Sequence, residues 1–226
     1  MKNLKKKAGR KRVYDAGKTK EAILNAAEAA FAEHGFNGVS IDEIAKEAGY
    51  NKSLLFQYFG NKLGLYTEVV KRADAAMSEM LLRVMAPLNR ADEIVKNHRT
   101  FSSFLAAISG TFFDYLTERP LFMRMLVWEQ AEGWRTYAKI VRRMLTDEDN
   151  LLEAIFRKAG RRGLLRSDFP PLIQMSSILQ LCLTYLTYIP LYEIIIRDGK
   201  RLRSQDSISR AKEYLVDFVV GGMIKN

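Results

Sequence analysis

The sequence holds a single cysteine, Cys182, in 226 residues. An internal disulfide is excluded, and an apolar run surrounds the thiol, where it behaves as a small hydrophobe. A reducing cytoplasm is the expected setting. Histidine is nearly as scarce: His34 and His98 fit no metal-ligand spacing, so no metal site is expected. There is no glycine-rich phosphate loop, no Gly-x-Ser-x-Gly and no cysteine–histidine pair, which sets aside the commoner nucleotide-dependent and nucleophilic chemistries. Neither a cofactor nor an enzymatic activity is expected. Repeats and low-complexity tracts are missing as well. One apolar run, Leu172 to Ile196, is long enough to span a membrane, but it carries Gln174, Gln180 and Glu193. A buried helix or a subunit interface is the expectation, with no membrane as partner.

Hydrophobic residues make up 48% and charged residues 27% of the chain, the balance of a soluble globular protein with a sizeable core. The net charge of +10 is unevenly placed. Residues 1–20 hold nine cations and one anion, and so eight of the ten net charges. The opening MKNLKKKAGRKR has no apolar stretch behind it, which predicts no secretory signal. Alone, such a run reads as a solvated tail. It becomes a nucleic-acid arm where a DNA-reading element lies beside it.

Hardly any segment reads as strand; the pattern predicts an all-α protein. Ile23, Ala26, Ala27, Ala30 and Phe31 recur at helical spacing until Gly35. Ser40-Ile41-Asp42-Glu43 has the capping-box form and opens a second helix with Ile41, Ile44, Ala45 and Ala48 on its apolar side, stopped by Gly49. A third helix spans roughly Lys52 to Phe59 with Asn51 as cap, and Lys62 opens a fourth reaching to Met85. Pro87 is the expected domain boundary. Beyond it, apolar helices are expected near 92–118, 120–132 and 134–162, the last stopped by Gly160 and Gly163. Pro170 and Pro171 begin a long helix with a bend expected at Pro190, and a final amphipathic helix covers about Gln205 to Val220.

The stretch IAKEAGYNKSLLFQYFGNK, Ile44 to Lys62, has the economy of two short helices joined by a tight turn. Ala45 permits close approach, Gly49 takes the positive φ of the turn, and Leu55 anchors the second helix. That is a helix-turn-helix, whose second helix enters the major groove by its N-terminal end. With Leu55 and Phe59 inward, Lys52, Ser53 and Gln57 face outward, where Lys and Gln can read purine edges. Leu54 is divided between a thymine methyl and the core. Tyr58 and Lys62 suit phosphates, although Tyr58 would equally pack on the fourth helix and Lys62 serve as a surface lysine. Ser40 suits both its cap and a phosphate.

Over Thr19 to Val70 the chain resembles the DNA-binding region of the tetracycline-repressor (TetR) family of bacterial transcription regulators. The resemblance rests on the Ala-rich first helix ending in Phe-x-x-x-Gly, the serine before the second helix, Ile-Ala-x-x-Ala-Gly, and the aromatic-x-x-Phe before Asn-Lys. It implies a homodimer on double-stranded DNA with a palindromic operator, and repression relieved by a small-molecule effector. Ser40, Lys52, Ser53, Leu54, Gln57, Tyr58 and Lys62 take family DNA-contact places. Phe56 departs: the family usually has a tyrosine there whose hydroxyl meets a phosphate. The implied organisation is a basic flexible arm at 1–18, a DNA-binding domain at 19–66, a linking helix at 62–85, and an effector-binding and dimerisation domain at 87–226.

The C-terminal part holds most of the large aromatics and several methionines, which suits an apolar pocket among helices. The candidates are Phe104, Trp128, Tyr137 and Tyr185, for an apolar or amphipathic effector. The last two helices carry Ile178, Leu181, Tyr185 and Ile189, and Tyr214, Leu215, Phe218 and Val219; the resemblance implies that these faces pair across a twofold axis. Two rival readings stay open: a helical small-molecule-binding protein or enzyme without DNA binding, and a basic protein of the membrane surface.

Overall fold

The computed structural model describes residues 16–86, 91–144, 150–166, 169–196 and 201–225. Most of the basic arm and the expected boundary at Pro87 lie outside them. No strand occurs among the described residues, where an isolated bridge joins Leu165 to Ile224. The helices are α1 (Ala16–Gly38), α2 (Ile41–Ala48), α3 (Lys52–Phe59), α4 (Lys62–Met85), α5 (Ala91–Ile94), α6 (His98–Glu118), α7 (Pro120–Ala131), α8 (Tyr137–Met144), α9 (Asn150–Arg161), α10 (Pro171–Ile195) and α11 (Gln205–Met223). Between Val69 and Val70 the chain divides into two compact units, so α4 starts in the first and continues in the second.

The first unit is α1, α2, α3 and the start of α4. Ile23, Ala27 and Phe31 form one fully buried stripe of α1, and Ile44 of α2, Leu55 of α3 and Leu65 of α4 are buried in the same unit. Phe31 and Tyr66 meet edge to face with ring centroids 4.8 Å apart, a geometry aromatic pairs favour. Gly35 has φ 70° and ψ 175°, breaking the helical path where the sequence pattern ended.

The second unit is built around α6, which packs against α10 and α11. Phe101, Phe104, Phe113, Tyr115 and Phe156 are buried there, and the Tyr115 hydroxyl donates to the Ala73 carbonyl at 2.7 Å. The sequence pattern predicted one helix near 92–118. The chain instead turns between α5 and α6, because Asn97 accepts the Thr100 amide at 2.9 Å and caps a new start. The expected 134–162 helix is likewise two, α8 and α9. Gly160 does not stop α9: it lies inside the helix, and Gly163 at φ 70° ends the segment. Pro190 sits in the last turns of α10, which runs on to Ile195.

Burial corrects the expected pairing faces. Ile178 and Ile189 of α10, and Leu215 and Val219 of α11, are buried in the chain's own body, with Leu181 and Tyr185 half-buried. The apolar side chains left exposed include Leu172 and Ile173 at the start of α10, Tyr188, Leu191, Ile194 and Ile195 towards its end, and Tyr214 (64%) and Phe218 (58%) of α11. α10 is long and apolar enough by length and composition to cross a membrane. Being apolar on nearly every side, it gives the sequence no stripe by which to choose an inner face.

Candidate nucleic-acid interface

α2 begins at a complete capping box. The Ser40 amide donates to Glu43 Oε2 at 2.6 Å, and the Glu43 amide donates to Ser40 Oγ at 3.2 Å. The Ser40 amide bond, seconded by the serine hydroxyl, holds the Glu43 carboxyl below its ordinary value. The helix closes at Gly49, whose φ of 74° and ψ of 26° are left-handed. There the Gly49 amide donates to Lys46 O at 3.2 Å and the Tyr50 amide to Ala45 O at 3.0 Å, the paired bonds of a Schellman turn. Asn51 then accepts the Leu54 amide at 2.9 Å and starts α3. The direction of α3 is thus set by two successive caps within four residues.

Leu55 and Phe59 are buried and fasten α3 to the unit's core. Lys52, Ser53 and Gln57 are exposed on its other side, while Leu54 and Tyr58 are half-buried. The Tyr58 ring lies 6.0 Å from that of Phe59. Eight residues make a helix of roughly 12 Å, enough for one end to reach base edges. The N-terminal end also carries the amides that favour an anion.

Ser40, Lys52 and Lys62 come together on one open cleft of about 590 Å³, with Asn37, Asp42 and Phe56 among its other walls. Of these, Asp42 carries no signal in the linear sequence that would place it there, whereas Phe56 stands one helical turn from Lys52 at a family contact place. Phe56 is 41% exposed, with the Lys52 ammonium 5.9 Å from its ring centroid. Lys52 Nζ also donates to Asp42 Oδ2 at 2.7 Å. Lys62, half-buried at the first position of α4, has its ammonium 4.8 Å from the Phe36 centroid, a cation–π distance. Of the cations near the arm, Lys20 is tied to Glu68 at 3.2 Å.

The start of α4 is equally determined. Asn61 accepts the Gly64 amide at 2.8 Å. A Cβ on Gly64 would stand 1.9 Å from the Phe59 carbonyl oxygen, so a residue without a side chain is required where α4 passes the last turn of α3.

The four aromatic effector candidates lie in the second unit. Phe104 is buried, its ring 6.1 Å from Phe101. Trp128 is 38% exposed on α7. Tyr137 is half-buried, 5.8 Å from Trp134, with burial pushing its hydroxyl up to about 12. Its amide donates to the buried carboxylate of Glu129 at 3.0 Å. Tyr185 is half-buried, 6.3 Å from Phe113, its hydroxyl also raised by burial. None of the four lines the open cleft of about 1060 Å³ between α6 and α11, whose walls include Phe113, Asp114, Lys212 and Val216.

Comparison with known proteins matches residues 23–69 to the bacterial regulatory proteins of the tetR family, and residues 102–219 to a tetracyclin repressor-like C-terminal domain. The chain is 28% identical over 218 residues to the HTH-type transcriptional repressor SCO4008 of Streptomyces coelicolor, covering 90% of this chain and 97% of that one. It is 29% identical over 158 residues to the HTH-type transcriptional repressor BepR of Brucella suis, covering 69% and 72%. The ketosteroid transcriptional regulator KstR2 of Mycobacterium tuberculosis shares its fold, with a TM-score of 0.60 at 16% identity over 92% of this chain and 95% of that one. With a family match at each end and a fold to agree, the chain belongs to the TetR family: it is a DNA-binding transcriptional regulator and not an enzyme.

Proposed function

We propose that this regulator is a repressor that binds a palindromic operator as a homodimer, placing one α3 in each of two successive major grooves. Lys52, Ser53, Leu54 and Gln57 meet base edges, and Ser40, Tyr58 and Lys62 meet phosphates. The observation that carries the reading is the exposed polar start of α3 beside the sealed Leu55 and Phe59. The dimer is supported by the exposed apolar side chains of α10 and α11, Tyr188, Leu191, Tyr214 and Phe218 among them, since contiguous exposed apolar surface marks an interaction site. Twofold pairing would set the half-sites about 34–36 Å apart.

A small apolar or amphipathic effector in the second unit releases the operator. It does so by preferring the dimer state that fits the operator poorly, acting along α4, which both units share. The protein works in the cytoplasm, with its DNA. The basic arm adds phosphate contacts, each worth about 0.9 in the slope of log affinity against log salt.

The test is selection of bound sequences from a random duplex pool, then titration of the selected duplex at several salt concentrations. A palindromic selected site, a steep salt slope, and a shallower one after removal of residues 2–12 are expected. Salt-independent or absent binding would refute the reading, and lipid sedimentation in its place would favour a membrane-surface protein.

A further inference from the structure

The cleft beside α3 holds two carboxylates on a face that has to approach a polyanion. Glu43 is committed to the cap of its own helix through Ser40. Asp42, one residue before it, reaches across to the reading helix and accepts the Lys52 ammonium at 2.7 Å, with the two side chains 65% and 49% exposed. Asp42 stands in the first turn of α2, where a carboxylate suits the helix dipole. That role does not require its reach to Lys52, and an ion pair so open to solvent contributes next to nothing to stability. A carboxylate placed there also repels phosphates, so plain affinity for DNA does not account for it either.

We propose that Asp42 is a specificity-determining positioning residue: it holds Lys52 against the Phe56 ring and keeps that cation off the phosphate backbone, aimed at a base edge. The inference rests on the assignment of α3 as the reading helix.

A lysine on its four-carbon stem is a mobile point charge that finds any phosphate. The Lys52 ammonium is instead held from two sides, by Asp42 Oδ2 and by the Phe56 ring 5.9 Å from its charge. Phe56 lies one turn along α3 from Lys52 and, though apolar, is 41% exposed. Such a ring on a polar reading surface gains a use as the second wall of this clamp. Neutralised by Asp42, Lys52 releases no counterion when the protein lies on an arbitrary sequence, so sequence-independent binding is weakened. On the operator, a fixed ammonium meets an acceptor pair such as guanine O6 and N7, and the contact discriminates against other bases. Discrimination is a difference of affinities, and here a repulsive element against the wrong sequences enlarges it.

Competition between the selected operator duplex and a scrambled duplex of equal length tests this in the full chain. In Asp42→Asn, affinity for the scrambled duplex is expected to rise and its salt slope to steepen by about 0.9 per subunit. The ratio of operator to scrambled affinity is expected to fall about fivefold or more. Adding Lys52→Gln should return the slope to the wild-type value, which a merely structural role for Asp42 would not do. An Asp42→Asn protein that melts with the wild type and keeps both its slope and its ratio overturns the proposal while α3 remains the reader. A wild-type protein without salt-dependent duplex binding would instead overturn the reading on which it rests.

Discussion

Gly64 and Gly49 are both needed without side chains, for different reasons. Gly49 sits at φ 74°, a conformation that L-residues adopt only under strain. Gly64 is in ordinary helical geometry, and its constraint is the Phe59 carbonyl 1.9 Å from where a Cβ would be. Only the first kind is legible from a turn pattern; the second depends on how closely two helices pass. Gly64→Ala therefore has to push α3 and α4 apart at the point that orients the reading helix. Overpacking of this sort costs about 1–3 kcal/mol, so the variant should melt measurably below the wild type and bind the operator more weakly. Unchanged melting would mean that the contact relaxes freely. Phe56 is the contrary case: it stands beside Lys52 because the two are four residues apart on α3, a spacing the sequence itself carries.

At the scale of elements, short α2 and α3 are held by their ends. Eight-residue helices are marginal alone, and here Ser40, Glu43, Gly49 and Asn51 close three of the four termini. Each of these caps was readable because its partners lie within about four residues. The capping box also makes a pH prediction. The Glu43 carboxyl is depressed by the Ser40 amide, so its contribution is present above the ordinary value of 4.5 and is lost as pH falls through the lowered native value. Thermal melts of wild type and Glu43→Gln should differ at neutral pH and converge in acid; a constant difference throughout would show that the charge plays no part. The missed cap at Asn97 is a local signal passed over: Lys96 to Thr100 interrupt the apolar pattern, and Asn97 and Thr100 exchange the two bonds of a capping box that starts a new helix.

For the whole molecule, the decisive surface is the one that α10 and α11 leave uncovered. The resemblance implied that Ile178, Leu181, Tyr185 and Ile189 of α10 pair across a twofold axis, yet two of these are buried in the chain's own body. Ile178 and Ile189 pack inward, as do Leu215 and Val219 of α11, while Tyr214 and Phe218 stay outside. With Phe218 as part of the proposed twofold contact, Phe218→Glu should raise the dimer dissociation constant by roughly thirtyfold or more, the 2 kcal/mol typical of a central aromatic. Light scattering at low protein concentration would follow this, and a mass unchanged from the wild type would place the interface elsewhere. The effector candidates rest on their aromatic character and on the pocket the resemblance implies among the C-terminal helices, and the structure distributes them between core and surface, with Phe104 buried and Trp128 on α7 38% exposed.

The all-helical class and the helix-turn-helix with its caps were determined by the sequence alone, because capping, glycine turns and helical periodicity act over three or four residues. The tertiary structure alone decided which stripe of an evenly apolar helix turns inward, which glycine must lack a side chain for want of space, and that Asp42 reaches Lys52. These depend on crossing angles and distances between elements, which are settled only when the helices of a unit pack around its core.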